Sequence, residues 1–177
     1  MSKRIKTALA VTIPVVLIVS VVIYVVCMPL SFSDMEITVR DFDYKPAFYS
    51  HIAQYTPASY ENYKNEDIAF PDTDSNMNDY CLITVNAAAH CIAPFNVGVR
   101  SLYPDEENDI IVLNIIPVRT QVIEAGKDGN CSTEFLCVKN GMNNEELAEK
   151  MKEIRYSAEL EYNFFRQTSR TQPVKCR

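Results

Sequence analysis

Apolar and polar positions fall into three regimes along this chain. No charge occurs from residue 7 to residue 33, and residues 8–28 form a nearly continuous apolar run. Beyond residue 34 the pattern becomes short runs in which apolar and polar positions alternate, with one late segment at helical spacing. Between Asp41 and Asp79 the periodicity fades.

The alternating runs predict strands. Met35, Ile37 and Val39 alternate with Glu36, Thr38 and Arg40, and Cys81, Ile83, Val85 and Ala87 share one face of the next candidate. Phe95, Val97 and Val99 face away from Asn96, Gly98 and Arg100. Residues 109–118, DIIVLNIIPV, are apolar on both faces and read as a central strand that Pro117 ends or redirects. Residues 120–124 and 133–138 supply two more.

Near the end, Asn143 followed by Glu146 has the spacing of a capping box, and Leu147, Met151 and Ile154 then repeat at helical intervals. Glu146 and Lys150 form a favourable i,i+4 pair on that helix. At Ile154 the period changes: Tyr156, Ala158, Leu160, Tyr162 and Phe164 alternate with polar residues, so the helix feeds directly into a final strand. The expected fold is mainly β: an antiparallel β-sandwich with one short helix before the last strand and a transmembrane helix ahead of it. An Ig-like arrangement is the commonest such solution, although without Trp the Cys–Trp–Cys hallmark is missing. Only 4 of 177 residues are Gly, so turns must lean on Asn, Asp and Pro; NG at 140–141 and DG at 128–129 are the clearest signals.

The 21 residues 8–28 cover roughly 30 Å as a helix, the hydrocarbon thickness of a bilayer. Lys3, Arg4 and Lys6 precede them, and Asp34 and Glu36 are the first charges after them. The cation-rich side stays in the cytoplasm. The expectation is a type II signal-anchor: residues 1–6 cytoplasmic, 7–28 spanning, 34–164 an extracytoplasmic β-rich domain, and 165–177 a basic, frayed tail carrying Arg166, Arg170, Lys175 and Arg177. The competing possibility is cleavage after Ser33, because Ser31-Phe32-Ser33 has small residues at both required places. That would make the chain a secreted or lumenal small-ligand carrier.

Charge and cysteines refine this picture. Setting aside the three N-terminal cations leaves 14 Lys and Arg against 23 Asp and Glu, a net −9 outside the anchor. Such a balance argues against nucleic acid and anionic lipid as partners. Beyond Cys27 lie Cys81, Cys91, Cys131, Cys137 and Cys176, which in an oxidising compartment are disulfide candidates. The four inner ones allow three connectivities, and the odd one, Cys176, is left for Cys27, another chain or a free thiol.

Candidate chemistry is sparse. The irregular stretch holds Tyr44, Tyr49, Tyr55, Tyr60 and Tyr63, and tyrosines offer rigid amphipathic contact area at low entropic cost. Tyr49, Tyr55, Tyr60 and Tyr63 are therefore the candidate binding residues; packing in an unseen strand is the plainer alternative. The run Asp72–Asp79 alternates oxygen ligands as calcium loops do, but Met77 stands where Gly is required and Ile83 where a bidentate Glu belongs. Only His51 and His90 are available as bases near neutral pH, and no nucleophile, phosphate-loop or zinc motif appears, so no enzymatic activity, metal or cofactor is expected. Asn130-Cys131-Ser132 matches the glycosylation acceptor pattern. The expected function is protein–protein recognition or assembly at a surface, with another surface, membrane, viral or host protein as partner, or a second copy of the chain.

Overall fold

A computed structural model of the chain describes residues 3–42, 77–106, 108–115, 119–164 and 166–175, and within them the side chains other than those of 3–11, 77, 163–164 and 166–168. Among the described residues, helix α1 (Lys3–Cys27) leads into eight strands: β1 (Leu30–Asp41), β2 (Tyr80–Cys91), β3 (Val97–Pro104), β4 (Ile111–Ile115), β5 (Gln121–Ile123), β6 (Asp128–Val138), β7 (Tyr156–Phe164) and β8 (Arg166–Val174). A second helix, α2 (Asn144–Glu153), lies between β6 and β7. The strands form two four-stranded sheets, ordered β1-β2-β6-β4 and β5-β3-β7-β8, with every pairing antiparallel. The sheets pack as a sandwich.

Alternation carries the core. Along β2, Cys81, Ile83, Val85, Ala87, Ala89 and Cys91 are buried while the residues between them are not. They meet Val97, Val99 and Leu102 of β3 and Tyr156, Ala158 and Leu160 of β7 in one apolar cluster. The Phe135 and Tyr156 rings lie 6.1 Å apart within it. α2 adds Leu147 and Met151, both fully buried, and the Tyr156 hydroxyl donates to the Met151 carbonyl at 3.0 Å.

A bulge between Val99 and Ser101 takes β3 out of regular pairing. Side chains of the other sheet meet the Leu102 backbone there: its N–H donates to Thr133 Oγ1 at 2.6 Å, and its carbonyl accepts from Asn114 Nδ2 at 3.1 Å. Each lateral seam of the sandwich carries a glutamine clamp. Gln121 accepts from the Ser132 N–H at 2.8 Å and donates to its carbonyl at 2.7 Å. Gln172 does the same to Leu30 across the opposite seam.

Four expectations are corrected. The run expected as a central strand forms β4 only over Ile111–Ile115, and β4 lies at the edge of its sheet beside β6. The basic tail is not frayed: residues 166–174 form β8, so α2 precedes the last two strands rather than the last one. The sandwich begins at Leu30 rather than residue 34, with Leu30 and Phe32 in the core. The DG at 128–129 lies inside β6, where an added Cβ at Gly129 would sit 3.1 Å from Ile123; the turn falls at Gly126, with φ +69°. NG does form its turn, with Asn140 at φ +48° and Gly141 at +78°.

The predicted span, residues 7–28, has described side chains only from Thr12 onward. Among the described residues no helix is long and apolar enough to cross a membrane. The 16 positions from Thr12 to Cys27 cover about 24 Å. Pro117 lies outside the described residues.

Candidate recognition site

The register of β1 against β2 gives the domain two poles. Leu30 pairs with Cys91 at one end, beside the exit of α1, and Asp41 pairs with Cys81 at the other. Twelve residues of β1 separate the poles by roughly 35 Å at about 3.3 Å per residue.

At the near pole the helix end is tied to the sandwich. The Tyr162 hydroxyl donates to the Val26 carbonyl at 2.7 Å, Phe95 stacks on Tyr162 at 5.1 Å, and Arg170 Nη1 donates to Cys27 Sγ at 3.3 Å. Tyr162 satisfies a carbonyl in the last turn of α1, which has no intrahelical partner. An apolar notch of about 540 Å³ opens between Val21, Val22, Val25 and Val26 of the helix and the loops carrying Phe95 and Ala125.

The far pole carries the base of the tyrosine-rich insert, which leaves after Phe42 and returns at Met77. Phe42 and Tyr80, at the two ends of the insert, pack with Val112, Leu113 and Leu136 in a second apolar cluster. Lys139 Nζ donates to Asp41 at 2.9 Å, beside this cluster. A polar cleft of about 350 Å³ opens at the same pole, between Glu106 and Asn108 on one side and Lys150, Glu153, Ile154 and Arg155 on the other. Lys150 Nζ donates to Asp109 at 2.9 Å, and this bond holds the Asp109 carboxyl below its ordinary range. Asn108 Oδ1 accepts from the Ile110 and Ile111 N–H groups at 3.1 and 2.8 Å, fixing the loop that forms the cleft rim.

The sequence pattern placed Lys150 against Glu146. The structure turns Lys150 to Asp109 and uses the Glu146 carboxylate to accept from the Asn143 N–H at 2.9 Å, completing the capping box. The cleft joins residues far apart in the chain, so no local pattern announced it. Phe42 and Tyr80 were missed for a similar reason: each sits alone at the edge of an aperiodic segment.

The candidate binding residues Tyr49, Tyr55, Tyr60 and Tyr63 lie outside the described residues, as do His51, Cys176 and most of the Asp72–Asp79 run. Asn130 is exposed on β6 opposite Ala88. His90 and Cys91 point to opposite faces: His90 Nδ1 meets Asp128 Oδ1 at 2.7 Å on the surface, while Cys91 is buried. Adjacent strand positions alternate in this way, so these two do not form a nucleophile–base pair. Among the described residues no cluster of three or more metal-ligating side chains occurs.

Among the described residues the expected disulfides are absent: Cys27, Cys81, Cys91, Cys131 and Cys137 are thiols. For Cys91 and Cys131 the reason is distance along the ladder. Cys131 pairs with Ala87, four residues short of Cys91. Instead, Cys91 Sγ donates to the Phe95 carbonyl at 3.4 Å, and Cys131 Sγ to the Ala87 carbonyl at 3.6 Å.

Compared with known protein families, curated proteins and solved structures, the chain shows no match.

Proposed function

We propose that the chain is a membrane-anchored, extracytoplasmic recognition or assembly protein, held by α1 and presenting its tyrosine-rich insert at the far pole. One observation carries this reading: helix and sandwich are built as a single piece. The helix end is bonded to Tyr162, and the strand that follows it supplies Leu30 and Phe32 to the core.

Two further features support an anchor. The apolar side chains of α1 from Ile13 to Tyr24 are about half exposed or more, reaching 63% at Ile18, and a surface of that extent calls for an apolar cover. The full 25-residue helix begins among the cations Lys3, Arg4 and Lys6, the flank that faces the cytoplasm. The strand order favours the Ig-like arrangement: β1, β2 and β6 take the places of strands A, B and E, and β3, β7 and β8 those of C, F and G. β4 takes the place of strand D, and in chain order it precedes the extra edge strand β5.

The rival reading, a carrier released by cleavage after Ser33, has a structural cost. That cut falls inside β1 and removes both Leu30 and Phe32 from the core, along with the partner of Gln172.

The test uses intact membranes of the producing cells. A photo-crosslinking residue at Tyr55 or Tyr60 is expected to capture a partner protein or a second copy, and the triple change Tyr55, Tyr60 and Tyr63→Ser to abolish capture without loss of folding. A mature N-terminus at Asp34 would overturn the anchor. Capture unaffected by the triple change would overturn the role of the insert.

A further inference from the structure

We propose that Cys81 and Cys137, and no other pair of the inner cysteines, close as a cross-strand disulfide at the far pole. Its occurrence in cells rests on the extracytoplasmic placement proposed above; its geometry does not.

Cys81 of β2 and Cys137 of β6 are register partners, and both side chains point into the core and are fully buried. The parity of the ladder follows from a bond two residues further on, where the Lys139 N–H donates to the Asp79 carbonyl at 2.7 Å. At the other end of the same ladder the Cys91 N–H donates to the Lys127 carbonyl at 2.9 Å. Both bonds make Cys81–Cys137 a hydrogen-bonded pair, with Cα atoms about 5.5 Å apart. Disulfides span roughly 4.4–6.8 Å between Cα atoms, so the pair lies within reach. The Cβ atoms of such pairs stand about 5 Å apart and must draw in by up to about 1 Å. A bond closed in this way is expected to be more easily reduced than an unstrained one.

The other combinations are out of range. Cys91 and Cys131 share a face but are offset by four residues, about 13 Å along the strand. Cys131 lies six residues from Cys137 on the same strand, and Cys91 ten from Cys81. Of the three connectivities open to four cysteines, the fold completes none; it permits one bond and leaves two thiols on backbone carbonyls.

Closure joins the two sulfurs and releases two protons. The two electrons pass to a thiol–disulfide oxidant, either a small-molecule disulfide such as oxidised glutathione or the disulfide of an oxidoreductase, which becomes two thiols. Attack requires a thiolate, and burial pushes the Cys81 thiol up to about 11 and the Cys137 thiol well above its ordinary value. Closure therefore belongs to folding, before the second sheet covers β2 and β6. It staples the strand that receives the insert to the strand that leads toward the polar cleft.

The experiment refolds the detergent-solubilised full chain from denaturant in a glutathione redox buffer. Remaining thiols are then alkylated, and the protein is digested without reduction for mass spectrometry. The expected result is one linked peptide pair, Cys81–Cys137, lighter than its separate halves by two hydrogens, with Cys91 and Cys131 alkylated. A C91A/C131A chain is expected to give the same linkage. Recovery of Cys81 and Cys137 in alkylated form, or a Cys91–Cys131 linkage in soluble refolded protein, would overturn the proposal. The same mapping on protein taken directly from cells separates the two readings. Linkage after refolding but thiols in the cell-derived protein would overturn the extracytoplasmic placement and leave the pairing standing.

Discussion

The Gln172 carboxamide holds both backbone polar groups of Leu30, donating to its carbonyl at 2.6 Å and accepting from its N–H at 3.3 Å. Residues 142 apart in sequence thus close the seam between β1 and β8, directly after α1. Gln172 is 1% exposed and Leu30 3%, so water cannot replace the clamp easily. Gln172→Leu leaves a buried donor and a buried acceptor unpaired, at about 1–3 kcal/mol each. The expected loss is about 2–6 kcal/mol in urea unfolding of the full chain in detergent. Gln121→Leu, at the half-exposed opposite clamp, is expected to cost less than half as much; equal losses would show that burial does not set the scale.

The start of α2 gives a second prediction. Asn143 Oδ1 accepts from the Glu145 and Glu146 N–H groups at 2.9 and 3.0 Å, and α2 in turn delivers Leu147 and Met151 to the core. Asn143→Ala is expected to destabilise by about 1 kcal/mol, whereas Asn143→Asp retains the acceptor and most of the stability. Thermal unfolding of the two variants side by side decides this. A loss in the Asp variant as large as in the Ala variant would mean that the cap does not set the helix start.

This cap was legible in the sequence because capping is local: two residues three apart contain the whole signal. The same holds for β1, β2 and β7, whose period of two reports one buried face. β8 was not legible. Its sequence, RQTSRTQPV, has no apolar alternation, carries Pro173, and is held by pairing with β7 and by the clamp on Leu30. Proline is tolerated there because β8 is an edge strand. The cysteine pairing was equally invisible, since the register of β2 on β6 is a long-range property. The polar cleft fails for the same reason: Asn108 and Lys150 meet only once α2 has packed.

Two glycines that looked alike in sequence separate in structure, and their substitutions should behave differently. Gly141 has φ +78° with open space around it, so Gly141→Ala costs about 1 kcal/mol through backbone strain alone. No second-site change nearby should rescue it. Gly129 lies within β6, and a Cβ there would press on the Ile123 Cγ1 and Cγ2 atoms at 3.1 and 3.2 Å. Gly129→Ala is expected to lose about 1 kcal/mol and to recover part of it in an Ile123→Val background, a coupling that a double-mutant cycle detects. Zero coupling would remove the steric account.

The buried thiols make stability fall at alkaline pH. Desolvation raises Cys81 from 9.0 to about 11, with Lys139 partly opposing and Asp41 adding to it; Cys137 is also raised, first by burial and then by Cys81. Burial raises Tyr156 in the same direction. In each case the folded state holds the proton more tightly than the unfolded chain. The stabilisation is therefore complete below the unfolded value and is lost as pH climbs towards the folded one. For Cys81 that window runs from about pH 9 to about pH 11. The reduced protein should lose on the order of 2 kcal/mol from Cys81 across it, with Cys137 adding in the same direction. In the C81A/C137A chain the loss over the same window should shrink, leaving the part that comes from Tyr156 and surface groups. Urea midpoints measured every half unit of pH, with reductant present throughout, provide the comparison. Parallel slopes for the two chains would mean that these thiols are not held protonated by burial, and would also remove the reason for placing disulfide closure before the sheets come together.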